Sequence, residues 1–451
     1  MELMKQRDYR NSFIDGMFAN VFGTLTGGVF LTGFALYLGM NEFLIGLLIA
    51  IPFLVTVFQF PASYYIRKNG KTKRIAFVAV MIGRTMWVLI VIAAFIPGLG
   101  ASGRCLLVLV LIFLSHAFSS ISYVAWLSWT SDLVPDEIRG RFFGTRNMLC
   151  SAAGITAVLV FGNLVDYGKE HLDKFSLAIG ISFLFAVVFG VLSAYFLNRV
   201  READASSPAG TPSLKEIALP FRELNFRRFL IFNFIWNFSV YFASPFFTLY
   251  FLRDLQFSYA FVAVLSATGT VASLLGMQFW GWISDRVKNR AVIRLGGWFV
   301  VFLPALWTTV RPGDILVPIL LQLVSGGFWA GVNLCVHNML LRISPRESKV
   351  WYLSACNIAV GLGAAAAPIA AGCILSVLDG RTVSVVSGEI LPIHLVFYGS
   401  TLMRLVSLQY FRYIHEPQET SVRGIFALFR RGWIRGLSPV GIILSRFVNR
   451  A

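Results

Sequence analysis

Long apolar runs recur along the whole chain, and short polar segments separate them. A bilayer core about 30 Å thick is spanned by roughly 20 apolar residues in a helix. Backbone amides in lipid must be paired internally, so runs of this length form helices. The sequence predicts twelve spanning helices, numbered 1 to 12, near residues 13–38, 43–66, 75–96, 104–130, 142–165, 174–197, 229–252, 257–283, 292–310, 314–341, 351–377 and 392–413.

The low share of charged residues excludes a soluble globular protein. Charged residues make up 14% of the chain and apolar residues 57%, whereas a soluble domain carries roughly 25% charged residues. The first apolar run has no small-residue cleavage site after it, so we expect it to remain as helix 1. The five cysteines fall in or beside apolar runs without a CxxC pair, which predicts packing residues rather than disulfides or metal ligands.

The net charge of +17 comes from short basic clusters between the apolar runs. No basic folded region is present that could bind nucleic acid, and basic loops mark the cytoplasmic side of a membrane protein. With the N-terminus inside, 31 of the 39 lysines and arginines fall in cytoplasmic segments. The exceptions are Arg84 and Arg404 within helices, and Arg104, Lys169, Lys174, Arg253, Arg311 and Arg381 in outer loops. The sequence therefore predicts a multi-pass protein of the cytoplasmic (inner) membrane with both termini in the cytoplasm.

Four regions are predicted: an N-terminal six-helix bundle over 1–198, a cytoplasmic linker over 199–228, a C-terminal six-helix bundle over 229–416 and a basic tail over 417–451. The linker contains small polar residues over 203–213, typical of a flexible connection, and then an amphipathic stretch over 214–226. In the tail, arginines alternate with apolar and aromatic residues, which favours an amphipathic helix on the anionic inner leaflet. A disordered basic tail is the alternative.

The two halves of the chain resemble each other. Segments 115–147 and 325–357 align without a gap and share the same residue at five positions. These pairs are Ser115 and Ser325, Phe118 and Phe328, Pro135 and Pro345, Glu137 and Glu347, and Asn147 and Asn357. The alignment predicts two copies of a six-helix unit, a plan known among transporters.

A motif at the end of helix 8 carries a family resemblance. Gly281 and Asp285-Arg286, followed by Arg290, are similar to the G-x-x-x-D-R signature of the major facilitator superfamily. The loop over 132–141 also resembles the helix 4–5 loop of bacterial members. The resemblance covers nearly the whole chain. It implies an all-α membrane fold of twelve transmembrane helices in two pseudo-symmetric six-helix bundles, and a secondary transporter that works as a monomer.

The equivalent loop after helix 2 departs from the family pattern. Pro61 stands where the signature has Gly, and Tyr65 stands where it has Asp. Arg67, Lys71 and Lys73, together with Gly70, keep the basic loop. The resemblance is therefore strong for fold and transport and weak for the substrate.

The resemblance also implies a cytoplasmic gate. A carboxylate at Asp285 would accept hydrogen bonds from the N-terminus of a neighbouring helix, where negative charge is favoured, and Arg342 is its expected ion partner. Such a cluster holds one side shut in one conformation and breaks in the other. A static loop anchor is the alternative. The predicted gating residues are Gly281, Asp285, Arg286, Arg290, Arg342, Asp132 and Arg139.

Polar residues within the predicted helices indicate a central binding cavity. Polar groups in spans are costly and usually face the bundle interior. Amides and aromatic rings recur there on common helical faces, which suits an uncharged hydroxylated ligand. Interhelical hydrogen bonding is the alternative for each residue. The predicted substrate-binding residues are Asn20, Thr24, His116, Ser120, Tyr123, Asn233, Trp236, Asn237, Tyr241, Trp329, Asn333 and His337.

The ionisable residues near and within the spans carry separate hypotheses. Arg404 is expected to pair with a neighbour or to extend its charged head to the surface. Arg84 is assigned a structural role, with attraction of an anionic substrate as the alternative. Asp15 is placed near the cytoplasmic end of helix 1, and the deep spans lack carboxylates. Because histidine titrates near neutral pH, His116 and His337 leave both proton symport and uniport open.

The sequence favours secondary transport of a small, sugar-like solute. Efflux of amphiphilic drugs or lipids is the alternative, since 15% aromatic residues would suit an apolar pocket. A membrane enzyme is disfavoured because no HExxH, GxSxG or paired acidic metal motif occurs. A non-transporting sensor stays open. The expected partners are the substrate, the lipid bilayer and, in a symporter, a proton. No cofactor, metal or nucleic acid is expected.

Overall fold

The computed structural model describes residues 6–69, 72–96, 98–171, 174–202, 219–345, 349–378, 383–385 and 388–416. The small polar part of the predicted linker, over 203–213, and the basic tail, over 417–451, lie outside these residues. The side chain of Asp132 also lies outside them. The predicted linker and tail structures therefore stay predictions.

Twelve long helical segments make up most of the described chain. Their bounds are Arg7–Tyr37, Glu42–Ile66, Thr72–Ala94, Ala101–Leu133, Asp136–His171, Phe175–Asn198, Leu224–Asp254, Tyr259–Val287, Asn289–Trp307, Leu316–Ile343, Lys349–Val377 and Pro392–Tyr410. The all-α fold class is confirmed. Eight of the twelve helices begin earlier than predicted. Helix 1 begins at Arg7 and helix 5 at Asp136, because polar first turns extend each helix beyond its apolar core.

Eleven of the described helices are long and apolar enough to cross a membrane. The twelfth, Pro392–Tyr410, has 19 residues and buries polar side chains that lower its mean hydropathy, among them His394 and Arg404. Between helices 11 and 12, Val383–Val385 and Gly388–Ile390 form a two-stranded antiparallel hairpin in which Val383 pairs with Ile390.

Helices 1 and 2 are interrupted within their length, and helix 7 has an irregular last turn. Helix 1 breaks between Leu25 and Gly28, where Gly28 has a φ of +49° that favours glycine. Helix 2 tightens into a 3-10 turn at Val55–Phe58, after Pro52. Helix 7 ends in a π turn at Tyr250–Asp254. Irregular backbone at membrane depth is tolerated where it is buried in protein or lines a cavity.

Tertiary contacts divide the described residues into two compact units. The first unit falls within Met1–Thr211, Ser244–Val264 and Ala364–Arg381, and the second within Pro212–Ala243, Leu265–Gly363 and Thr382–Ala451. The first unit therefore contains helices 1 to 6 together with one end of each of helices 7, 8 and 11. The predicted boundary between two six-helix bundles near 198–229 stays a prediction.

In the first unit, helix 1 packs against helices 5 and 6, and helix 3 packs against helices 4 and 6. Phe34 and Trp87 both make edge-on contacts with Phe183, and all three rings are buried. A Cβ at Gly83 would lie 2.9 Å from the carbonyl oxygen of Ser115, so glycine permits helices 3 and 4 to approach closely.

In the second unit, helix 9 packs against helices 10 and 12. Phe232 of helix 7 contacts Phe411 with ring centroids 4.7 Å apart. On helix 10, Gly331 leaves room for the indole ring of Trp280, which would lie 2.5 Å from a Cβ at that position. Aromatic rings therefore fill this core, with glycine where the rings require space.

Candidate functional site

A cavity of about 520 Å³ lies among helices 1 to 6 in the first unit. Its wall combines apolar residues with charged and hydrogen-bonding side chains. The interruption of helix 1 forms part of this wall, because Thr26, Gly27 and Gly28 line it. The other polar and aromatic lining residues are Asp15, Phe22, Arg84, His116, Ser119, Ser122, Tyr123, Trp126 and Arg146.

An acidic residue and two basic residues line this cavity. Asp15 is 3% exposed, and its carboxylate accepts a hydrogen bond from the Ser193 hydroxyl. The second carboxylate oxygen lies 3.6 Å from an Nη atom of Arg146. Arg84 donates to the carbonyl oxygen of Gly190 at 2.6 Å. One carboxylate faces two guanidinium groups, so the three side chains carry a formal charge of +1.

Arg146 is held in place by an aromatic ring and a glycine. Its guanidinium carbon lies 4.6 Å from the ring centroid of Trp126, a favourable cation–π distance. A Cβ at Gly16 would lie 2.8 Å from that same carbon, so helix 1 has no side chain where the guanidinium sits. The Nε atom of Arg146 is buried and has no hydrogen-bond partner among the described residues. The guanidinium thus retains unused donor capacity.

Helix 4 supplies the aromatic side of the cavity. The rings of Tyr123 and Trp126 are tilted, with centroids 6.0 Å apart. His116 and Ser119 lie on the same helix and also line the cavity. This wall can stack on a flat or sugar-like ligand and hydrogen-bond its hydroxyl groups.

The structure brings only some of the sequence-predicted residues of helices 1 and 4 into the cavity. His116 and Tyr123 line it. The Asn20 side chain instead donates to the Cys150 carbonyl at 2.7 Å, which joins helices 1 and 5. The buried Ser120 hydroxyl lies 3.1 Å from the Gln59 side-chain nitrogen that donates to it. Thr24 is half-buried and would lie 3.1 Å from a Cβ at Gly154.

On helix 7, the predicted asparagines donate hydrogen bonds within their own helix. Asn233 donates to the Phe229 carbonyl at 2.9 Å, and Asn237 donates to the Asn233 carbonyl at 2.8 Å. Tyr241, further along this helix, is half-buried.

On helix 10 the predicted residues have different surroundings. Trp329 contacts the buried Trp236 of helix 7, with ring centroids 5.8 Å apart. Asn333 and His337 are exposed.

Each half of the chain buries an arginine that joins two of its helices. The helix pairs, 3 with 6 and 12 with 9, are equivalent in the predicted repeat. Arg84 of helix 3 donates to the Gly190 carbonyl of helix 6. Arg404 of helix 12 donates to the Val300 carbonyl of helix 9 at 3.0 Å and lies over the Trp329 ring at 5.6 Å. Arg404 is 2% exposed. Its head therefore stays inside the bundle rather than extending to the surface.

Sequence reasoning missed Asp15, Arg146 and Ser193 as site residues. The sequence places Asp15 near the cytoplasmic end of helix 1 and counts Arg146 among the basic residues of the cytoplasmic segments. Helix 5 begins at Asp136, which places Arg146 almost three turns inside the helix. A charged residue inside the apolar stretch, as at Arg84, was the available signal. Ser193 had none, because serine is common in spans.

None of the predicted gating residues whose side chains are described lines this cavity. Asp285 is exposed. Arg286 stacks on Trp282, with the guanidinium carbon 4.1 Å from the ring centroid. Gly281 is half-buried, and a Cβ there would lie 3.6 Å from Leu334. Arg139 reaches the Val134 carbonyl at 3.4 Å.

Arg342 pairs with Glu416, at 3.2 Å, in place of the expected Asp285. Glu416 is buried and also accepts from the Asn289 side chain and the Arg290 backbone N–H, both at 2.8 Å. This cluster ties the start of helix 9 and the end of helix 10 to the segment after helix 12.

The same carboxylate contact recurs in the first half of the chain. Glu202, after helix 6, accepts from the backbone N–H of Lys73 at the start of helix 3, at 2.9 Å. One residue earlier in each half, the N–H of Arg201 donates to Asp8 and the N–H of His415 donates to Asn225. These matched contacts support the internal repeat that the sequence alignment predicts.

A second set of polar contacts lies at the other end of the first unit. The Asp166 carboxylate accepts from the backbone N–H groups of Tyr259 and Ala260, at 2.8 and 2.7 Å, and so caps the start of helix 8. Glu42, at the start of helix 2, pairs with Arg253 at 2.5 Å. Helices 2 and 5 are thereby joined to the ends of helices 7 and 8.

The sequence matches the model of one known protein family. The family model of the Major Facilitator Superfamily matches residues 14–368 and, in a second match, residues 229–447. No curated protein sequence shows significant similarity to the chain.

Solved structures of transporters share the fold at low sequence identity. The nucleoside transporter NupG has 13% identity and a TM-score of 0.68, covering 92% of this chain and 99% of its own. A bacterial homologue of the human lysosomal transporter Spinster has 15% identity and a TM-score of 0.68, covering 91% and 98%. A D-xylose–proton symporter has 14% identity and a TM-score of 0.64, covering 92% and 99%. The chain belongs to the major facilitator superfamily of membrane transporters.

Proposed function

We propose that the chain is a secondary active transporter that moves a small polar, sugar-like solute by alternating access. The cavity among helices 1 to 6 forms part of its binding site. The observation that carries the proposal is the polar lining of this cavity inside membrane-spanning helices, with Asp15, Arg84 and Arg146 in its wall. Ionisable groups at such depth are costly and generally mark a solute or ion pathway.

The aromatic wall supports a hydroxylated solute. Tyr123 and Trp126 present adjacent rings, and His116 and Ser119 supply hydrogen-bonding groups beside them. Among the proteins that share the fold, NupG is a nucleoside transporter and another is a D-xylose–proton symporter. D-xylose is a sugar, and a nucleoside contains one.

The gate of this transporter is proposed to involve both sets of end contacts. The Glu416 cluster lies at the same helix ends as the basic loops. Because basic loops mark the cytoplasmic side, we assign this end to the cytoplasm. The pair Glu42–Arg253 and the cap from Asp166 to helix 8 lie at the predicted outer ends of helices 2, 5, 7 and 8. Alternating access requires contacts that hold one end in one state and release it in the other. Asp285 and Arg342 stay proposed gating residues within this scheme.

A proton is the proposed coupling ion, and Asp15 is the proposed carrier. Asp15 is the carboxylate in the wall of the cavity, and it contacts Arg146, which also lines it. Exchange of a proton on such a carboxylate changes the charge that the solute meets. We further propose that the protein is a monomer in the inner membrane with both termini in the cytoplasm.

Uptake into proteoliposomes tests the proposal. The purified full chain, reconstituted with an imposed pH gradient, is expected to accumulate a hydroxylated solute above the level in empty liposomes. Uptake of hydrophobic cations alone would instead support efflux of amphiphilic compounds. Binding of a solute without any flux would support a sensor.

A further inference from the structure

The formal charges of the residues that line the cavity do not sum to zero. Asp15 is its one acidic lining residue among the described side chains, whereas Arg84 and Arg146 are both basic. Burying a guanidinium away from water without a compensating charge is costly. A bound anion would balance the remaining positive charge.

The hydrogen bonds of the three side chains show which arginine is available. The Asp15 carboxylate is engaged by Ser193, and Arg84 is engaged by the Gly190 carbonyl. The Arg146 Nη atom is 3.6 Å from Asp15, longer than the 2.7–2.9 Å of a charge-assisted hydrogen bond. Its buried Nε atom has no partner in the described structure. Because Arg146 lines the cavity and its Nη atom lies beyond charge-assisted hydrogen-bonding distance of Asp15, its guanidinium can still bind an anion.

The surroundings of Arg146 define what kind of anion fits. Trp126 supports one face of the guanidinium, and Tyr123 continues the aromatic wall. The adjacent groups of His116 and Ser119 can bond hydroxyls. A guanidinium matches the two oxygens of a carboxylate bidentately. A monovalent carboxylate also matches the charge of +1, whereas a phosphate monoester carries about −1.5 to −2.

We propose that the solute is a small hydroxylated carboxylic acid, such as a sugar acid, whose carboxylate binds Arg146 while its hydroxylated carbons lie against the aromatic wall of helix 4. This inference rests on the proposed transport function and specifies its substrate class. In this arrangement Asp15 and the solute carboxylate compete for the same guanidinium.

The test measures thermal stabilisation of the purified full chain by matched acids and uncharged analogues. The probes are D-gluconate and D-glucuronate, compared with D-glucose and D-sorbitol, with glucose 6-phosphate as the phosphate arm. A ligand that binds the folded state raises the melting temperature according to its occupancy. We expect the acids to stabilise the protein at concentrations at least tenfold lower than their uncharged analogues require.

Two variants connect the preference to Arg146. Arg146→Gln is expected to weaken acid binding about tenfold to a hundredfold, since a charge-assisted hydrogen bond is lost. Arg141→Gln is the matched control, because Arg141 lies on the same helix and is exposed. Should Arg146→Gln fail to fold, Arg146→Lys keeps the charge and is expected to retain weakened acid binding.

Three results would overturn the inference. Equal or better stabilisation by the uncharged analogues would leave sugar transport standing and remove the acid class. Stabilisation by glucose 6-phosphate alone would show that the site binds a phosphate group instead of a carboxylate. An acid preference that Arg146→Gln leaves unchanged would place the anion elsewhere. Loss of all flux in proteoliposomes, with acid binding retained, would reject the transport function but not the binding chemistry.

Discussion

The Asp15 carboxylate and the Arg146 guanidinium lie 3.6 Å apart in the wall of one cavity, on helices 1 and 5. The two helices meet here because Gly16 leaves the space that the guanidinium occupies. Ser193 of helix 6 holds the other side of the carboxylate. Three helices of the first unit thus position one ionic contact. Its disruption should have consequences for both stability and transport.

Asp15→Asn should destabilise the protein strongly. It removes the carboxylate that partly balances Arg84 and Arg146, and breaking a buried ion pair by removing one partner costs about 3–5 kcal/mol. The measurement is thermal unfolding in detergent. The double variant Asp15→Asn with Arg146→Gln should recover part of the loss. Asp285→Asn, at an exposed residue, is the control. A single variant Asp15→Asn as stable as the wild type would contradict the ionic contact.

Gly16→Leu should abolish transport by displacing Arg146. A Cβ at Gly16 would already lie 2.8 Å from the guanidinium carbon, and the leucine side chain fills the same space. Solute uptake should fall at least tenfold, while the amount of protein in the membrane changes little. Gly144→Ala on helix 5 is the control, because a Cβ there meets no atom within 4 Å. Unimpaired uptake by Gly16→Leu would show that the position of Arg146 is unimportant.

The two repeated carboxylates should differ in their contribution to stability. Glu416 is 3% exposed and binds Asn289, Arg290 and Arg342, whereas Glu202 is exposed. Glu416→Gln should lower the free energy of unfolding by about 1.5–3 kcal/mol. Glu202→Gln should lower it by less than about 1 kcal/mol. Thermal unfolding of the two variants compares them directly, and equal losses would refute the assignment of different roles to the two positions.

Asp285→Ala should affect the rate of transport more than stability. The Asp285 side chain is exposed, so its removal should change the free energy of unfolding by less than about 0.5 kcal/mol. If the residue belongs to the gate, uptake should still fall several-fold. Normal uptake by a stably folded Asp285→Ala would remove it from the gate and leave a loop residue.

The sequence predicted the helices well because lipid leaves few alternatives for a run of roughly 20 apolar residues. The resemblance at Asp285-Arg286 gave the superfamily. The helix starts were less accurate, because the apolar core does not show how far a polar first turn extends. That error hid the site, since Arg146 lies about one turn into a helix that starts at residue 142 but almost three turns into a helix that starts at Asp136.

The predicted binding residues separate according to their hydrogen bonds. His116 and Tyr123 reach the cavity, whereas Asn20 and Asn237 donate to backbone carbonyls. An amide in a span can bond a ligand or a backbone carbonyl, and helical periodicity is the same in both cases. The partner depends on packing between distant segments, which one sequence does not reveal.

Uptake by the reconstituted wild-type chain and by Arg146→Gln, compared side by side in proteoliposomes, shows whether Arg146 and the cavity that it lines bind the transported solute. We expect saturable uptake of a hydroxylated solute by the wild type and its loss in Arg146→Gln, with Arg141→Gln unaffected. Uptake that is equal in the wild type and Arg146→Gln would contradict the claim that the cavity among helices 1 to 6 binds the transported solute.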